Sequence, residues 1–324
     1  MSQHLHLDLV GGMAGDMTVG ALLDAGADAD AVRGALRDSG LPFTDLLVER
    51  AWRGGMAGVH VDVVVERDPP ERTWGHIRGL IESCRLSERA RERALDVFAR
   101  LAAAEAHVHG CDLDEVHFHE VGAMDSIVDV LASAIALDLL DVTSASCGPV
   151  PICGGGTVTG DHGTMPLPAP ATAELLVGFE LTPIEGRLET ITPTGAALLA
   201  LLCNGRTRSM PAFRLKATGT GMGTAELPGR ANVLRALLGP LSATGQTETA
   251  RAPAAVVIEA NIDDMDPRLY GEVAADLFAA GALDVALVPL QMKKQRPGTL
   301  LQVVARPELE GVLTGVVLRT TTTL

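Results

Sequence analysis

Apolar residues recur along the chain with two periods, one of two residues and one of about 3.6, and the switches between them mark out elements. A short apolar run at 5–10 ends in Gly11-Gly12, and residues 17–25 then repeat at helical spacing, which predicts a strand, a glycine turn and a helix. A second helix is expected over 29–39, stopped by Gly40 and Pro42. Val59, Val61, Val63 and Val65 alternate with His60, Asp62 and Glu66 in a strand pattern, and 67–72 reads as a charged loop. Helices follow over 73–84, over 87–108 from a capping Ser87, and over 126–140, where Ala, Ile and Leu suit burial. After a turn-rich stretch at 148–156, helices are expected at 171–177 and 194–203, the latter with Pro193 suited to its first turn. Gly219, Gly221 and Gly223 predict a mobile or ligand-cradling loop, and 232–238 a strand.

Residues 240–253 are Ser, Thr, Gly, Gln and Ala without periodicity, which reads as a linker. It separates a large N-terminal domain, 1–239, from a smaller one, 254–324. In the smaller part a strand at 255–262, a helix at 270–280, strands at 284–289 and 299–305 and a helix at 307–318 follow the order of a ferredoxin-like unit lacking its last strand. The expected fold class is therefore α/β (α+β): a large N-terminal α/β domain followed by a partial ferredoxin-like domain.

Composition narrows the function. With 47% hydrophobic and 21% charged residues the chain is globular, and with only 3% aromatics its core must be Ala, Leu and Val. A net charge of −15 repels phosphate backbones, so nucleic acid is excluded as a partner and cation handling is favoured. No apolar run reaches the roughly 18 residues of a membrane span, and no basic flank precedes an apolar stretch at the N-terminus, so neither a membrane partner nor a signal peptide is expected. Five scattered cysteines without a CxxC read as reduced thiols in the cytoplasm.

Several constellations could carry chemistry. Asp8 and Asp16 flank Gly11, Gly12 and Gly15, where a strand–Gly-Gly–helix can offer backbone N–H groups to an anion and the carboxylates can hold a metal. The competing reading is a turn plus a capping Asp16. His107, His109, His117 and His119 share one short window. On a strand His117 and His119 would point the same way and, with Glu120 and Asp125, suit Ni, Zn or Fe, against a plain polar loop as the alternative. His107 and His109 fall at a helix end. Asp125 and Asp129 share a helix face at i and i+4, where like charges repel unless a cation offsets them or the helix dipole alone favours both. His162, between glycines, could be a base, a ligand or an ordinary loop histidine. Asp263 and Asp264 after one strand, with Lys293, Lys294 and Arg296 after the next, outline a divalent cation and triphosphate site, or merely charged strand ends.

Taken in order, LDLVGGMAGDMTVGALLDAG at 7–26, EVHFHEVGAMDSIVDV at 115–130, HGTMPLPAPATAELL at 162–176, TPTGAALL at 192–199, EANIDDMDP at 259–267, GALDVALVPLQMKKQRPG at 281–298 and the terminal RTTTTL resemble the LarC family, the nickel insertases of nickel-pincer cofactor biosynthesis. The resemblance covers nearly the whole chain. It implies a nickel chelatase (cyclometallase) of the lyase class. Such an enzyme inserts Ni²⁺ into pyridinium-3,5-bisthiocarboxylic acid mononucleotide and consumes CTP, with Mg²⁺ or Mn²⁺, to CMP and pyrophosphate. It implies nickel at His117, His119, Glu120 and Asp125, substrate chemistry at Asp8, Asp16 and His162, and CTP at Asp263, Asp264, Lys293, Lys294 and Arg296. The rival readings are a non-catalytic nickel carrier and a metal-dependent hydrolase built on His117 and His119, which lacks a third histidine at suitable spacing. The chain departs from the family at 67–74, where a histidine-rich stretch is replaced and only His76 lies near. The family also continues past its TTTL motif. A further C-terminal domain or a partner chain, a homo-oligomer, and a mobile or externally docked segment from 307 onward are therefore expected.

Overall fold

The structure is a computed structural model that describes residues 2–42, 45–65, 72–118, 122–160, 163–227, 229–242, 255–293 and 296–323. It forms two units, Met1–Gln246 and Thr247–Leu324. In the first, β1 (Gln3–Asp8) buries Leu5 and Leu7 by strand alternation. The chain turns through Gly11-Gly12 into α1 (Gly15–Asp24), then runs through α2 (Ala29–Ser39) and the hairpin β2 (Asp45–Arg53) and β3 (Met56–Val64). Next come β4 (Arg72–Thr73), α3 (Trp74–Ser83), α4 (Glu88–His109), β5 (His117–Phe118) and α5 (Met124–Leu139). They are followed by β6 (Val142–Cys147), β7 (Val150–Cys153), β8 (Thr157–Gly160), β9 (Gly163–Pro166), α6 (Pro170–Leu175), β10 (Leu181–Ile184) and α7 (Pro193–Cys203). Two further strands, β11 (Ala217–Met222) and β12 (Val233–Gly239), return to the main sheet.

That sheet has the order β2-β3-β11-β12-β1-β6, with β1 parallel to β6 and antiparallel to β12. The expected glycine loop at 219–223 is for the most part strand β11. A Cβ at Gly219 would stand 2.0 Å from the Ala21 carbonyl oxygen, and one at Gly221 would stand 1.8 Å from that of Met17. These glycines exist so that α1 can lie directly on the sheet. α5 is apolar nearly all round and is buried among its neighbours, with Ile127, Leu131 and Leu137 wholly covered, as its Ala/Ile/Leu content requires.

The second unit holds β13 (Val256–Ile262), α8 (Tyr270–Ala279), β14 (Asp284–Met292), β15 (Arg296–Ala305) and α9 (Glu310–Thr320). Its sheet order, β13-β15-β14, is antiparallel throughout. Leu277 of α8 and Leu313 of α9 are fully buried with Val303 and Ala305 of β15. The expectation of a mobile or externally docked end is therefore corrected for 310–320: α9 is covered by its own sheet, because Leu313, Val316 and Val317 give it one apolar stripe. Of the expected linker, 243–253 lies outside the described residues. Pro240 and Ser242 still bond back to the first unit, at Arg214 and Ala212. The fold is mixed α+β, and among the described residues no helix is long and apolar enough to cross a membrane.

Candidate functional site

Three helices of the first unit begin at one place. The first turns of α1, α5 and α7 meet strand β3 around a cavity of about 410 Å³. The first-turn N–H groups of a helix lack partners within the helix, and each helix start carries roughly half a positive charge. Ala14 and Ala123, the residues before α1 and α5, supply no side-chain cap, whereas the Thr192 hydroxyl before α7 accepts the Gly195 N–H at 3.1 Å. Facing these starts are Asp16 of α1, His60 and Asp62 of β3, Asp125 and Asp129 of α5, and Glu189 ahead of α7.

Asp129 is held by a close approach that only glycine permits. A Cβ on Gly15 would stand 2.6 Å from Asp129 Oδ2. The carboxylate thereby accepts the Asp16 backbone N–H. Its other oxygen, Oδ1, is buried and has no hydrogen-bond partner among the described residues. A buried, unpaired charged oxygen is costly, so the group is driven to take up a proton or a cation. Burial, followed by the nearby Asp16 and Asp125, pushes the Asp129 carboxyl well above the usual range. Asp16 is also raised, chiefly by burial, against the opposing pull of the Met17 N–H and His60. Among the described residues no group of three or more His, Cys, Asp or Glu is gathered tightly enough to hold a metal ion. The carboxylates stand around the walls, so a cation here would complete its shell with donors from a ligand.

The residues singled out from the sequence are distributed as follows. Asp16 and Asp125 line the cavity. Asp8 does not: it faces Arg235 across the β1–β12 pair, at 3.4 Å. The Gly11-Gly12 turn does not form an open anion cradle. Gly11 donates to Val233 O at 2.9 Å, and a Cβ at Gly12 would meet Thr190 O at 1.8 Å, so the chain's own backbone fills that place. His117 is exposed on β5, opposite Thr73 of β4, and is not among the residues lining the cavity. His119, Glu120, His162 and Lys294 lie outside the described residues. In the second unit Arg296 stands 3.7 Å from Asp263, Asp264 accepts the Thr322 hydroxyl, and Lys293 is exposed. Sequence reasoning does not single out His60, Asp62 or Glu189 as site residues. The signal for the first two is present, since they stand two apart on one face of a valine strand. Thr192 and Thr194 sit inside the TPTG motif but carry no chemical signature of their own.

Comparison with known proteins gives consistent matches. The family described as "Nickel insertion protein" matches residues 5–324. Proteins named "Putative nickel insertion protein" are similar throughout. That of Geobacter metallireducens is 44% identical over 322 residues, covering 99% of this chain and 81% of its own. That of Pelobacter propionicus is 45% identical over 320 residues, 98% of this chain and 80% of its own. That of Thermomicrobium roseum is 45% identical over 318 residues, 95% and 76%. A solved structure titled "LarC2, the C-terminal domain of a cyclometallase involved in the synthesis of the NPN cofactor of lactate racemase, apo form" is 43% identical over 22% of this chain and 49% of its own, with a TM-score of 0.21.

Proposed function

Since the chain belongs to the nickel insertion protein family, we propose that its reaction is the CTP-dependent insertion of Ni²⁺ into pyridinium-3,5-bisthiocarboxylic acid mononucleotide, and that the three-helix cavity is where metal and substrate meet. Nickel is the cargo of this reaction. In this proposal no more than two of Asp16, His60 and Asp62 present donors to Ni²⁺ at a time, and the substrate's sulfurs complete the shell, as borderline-soft metals favour. Forming a nickel–carbon bond releases a proton from the ring carbon. Asp129 Oδ1 is assigned as its acceptor: burial raises this carboxylate's affinity for protons, which is what a general base requires when it is ionised. The Thr192 and Thr194 hydroxyls and the start of α7 are assigned to the anionic end of the substrate. His117, His119 and Glu120 are assigned to nickel capture, and His162 to substrate contact. CTP and its Mg²⁺ or Mn²⁺ are assigned to Asp263, Asp264, Lys293, Lys294 and Arg296 of the second unit.

The observation that carries this reading is that Asp129, whose buried Oδ1 has no hydrogen-bond partner among the described residues, belongs to the lining of a carboxylate- and imidazole-lined cavity. It is tested by incubating the protein with Ni²⁺, CTP, Mg²⁺ and the dithiocarboxylate substrate and following nickel-bearing product by mass spectrometry. Asp129→Asn is expected to slow product formation by about 100-fold or more, the usual contribution of a positioned base. Product formed at the wild-type rate in Asp129→Asn removes this residue from the chemistry. Nickel bound in stoichiometric amount with no CTP-dependent product selects the carrier reading.

A further inference from the structure

A second cavity, of about 260 Å³, lies on the first unit beside edge strand β6 and the C-terminal end of α7, whereas the three-helix site takes the N-terminal end of that helix. Its polar lining is Arg93, Thr143, Ser144, Asn204 and Arg208, and no carboxylate lines it. This stands out in a chain of net charge −15.

Both guanidiniums have spare donors. Arg93 gives one Nη2 bond to the Val142 carbonyl, while its Nη1 is buried with no hydrogen-bond partner among the described residues. The carboxylates that act on Arg93, Asp138 and Asp141, are already engaged by Arg89, at 3.4 and 3.2 Å. The Arg208 side chain makes no hydrogen bond or ion pair among the described residues, while its backbone N–H anchors it to Cys147 O at 3.2 Å. Ser144 is set by a buried partner: its hydroxyl lies 2.8 Å from Nδ1 of His4, a residue only 4% exposed. His4 Nε2 is in turn 2.9 Å from the Ser146 hydroxyl, so the hydroxyl at the cavity wall is braced from within the sheet.

A water molecule could accept from Arg93 Nη1, but it would leave two positive charges facing one small space. An anion answers both needs. The C-terminal end of α7 opposes it with about half a negative charge, which two full positive charges outweigh. The cavity falls below the roughly 300–1,000 Å³ of drug-sized ligand sites, so the ligand is small. We propose that this cavity binds a phosphate dianion, either free or as the phosphoryl end of a small ester, between the Arg93 and Arg208 guanidiniums and the Thr143, Ser144 and Asn204 side chains. Two guanidiniums match two negative charges, and their forked donors fit tetrahedral oxygens.

The test is titration calorimetry of the whole chain with inorganic phosphate and, separately, with glycerol 3-phosphate, at constant ionic strength set by sodium chloride. Saturable binding at one site is expected, weakened at least tenfold by Arg208→Gln and by Thr143→Glu, the latter placing a carboxylate at an exposed position of the rim. Should Arg208→Gln fail to fold, Thr143→Glu decides the matter. Tighter binding of glycerol 3-phosphate assigns the site to an ester, and equal or weaker binding assigns it to free phosphate. Absence of saturable heat with both probes, or unchanged affinity in the folded variants, overturns the proposal.

Discussion

Asp129 places two demands on one side chain. Its Oδ2 ties α5 to the first turn of α1 through Gly15, while Oδ1 is left buried beside Asp16 and Asp125. The folded state favours the protonated form, so this group's contribution to stability is complete below its unfolded pKa and is lost as pH rises through the folded value. Asp129→Asn keeps an oxygen for the Asp16 N–H and removes the charge. Its melting temperature should exceed that of the parent at pH 7, and the gap should close near pH 3. A variant that melts lower at pH 7 would show that the charge is already compensated. His4 has the opposite sign. Burial first, then His6 and Arg208, lowers its pKa from 6.5 to about 4. The unfolded chain therefore takes up a proton that the folded chain refuses. Stability is complete above pH 6.5 and is lost as pH falls towards 4, by up to about 3 kcal/mol. His6, lowered mainly by burial and opposed by Asp8, adds to the same trend. His4→Gln should flatten the fall in melting temperature between pH 6.5 and 4, and an equally steep fall in that variant would remove His4 as its source.

At the scale of elements, the decisive contact is α1 lying on β11. A side chain at Gly221 would overlap the Met17 carbonyl, at 1.8 Å, so either the helix or the strand must shift. Gly221→Ala should cost about 2 kcal/mol or more, the upper part of the range for overpacking. It should also impair the three-helix site, since α1 carries Asp16. Gly34 in α2 is the contrasting case. An added Cβ there meets nothing within 4 Å, and the residue is helical. Gly34→Ala should stabilise the chain by about 0.5–1 kcal/mol through helix propensity. Urea denaturation of the two variants side by side checks both signs. If Gly221→Ala is as stable as the parent, the close approach of α1 does not govern that position.

Across the whole molecule, the excess of 41 acidic over 26 basic residues gives a field that attracts Ni²⁺ and is screened by salt. Nickel association measured by stopped flow should slow by several-fold between about 10 mM and 150 mM ionic strength, as screening of exposed charge requires. A rate independent of salt would mean that the local cavity alone captures the metal. The mixed α+β class and the run of helices were legible in the sequence because hydrophobic period is a local property. It survives in 5–10 as β1, in 87–108 as α4 and in 126–140 as α5. The family was legible too, because its motifs are contiguous strings. Asp16 and Asp125 stood out because each lies in such a string beside glycine or a second carboxylate. What the sequence could not decide is which of these strings meet. His60, Asp125 and Thr192 are far apart along the chain and line one cavity only because β3 pairs with β11, α1 lies on both, and α5 and α7 begin beside it. The glycines illustrate the same limit. As letters, Gly219 and Gly221 suit a flexible loop as well as a strand pressed by a helix, and only the partner that fills the missing Cβ distinguishes the two. Local period follows from backbone geometry repeated residue by residue. Convergence of helix starts, and the unpaired oxygen of Asp129 among them, arises from long-range packing, which no short window of sequence encodes.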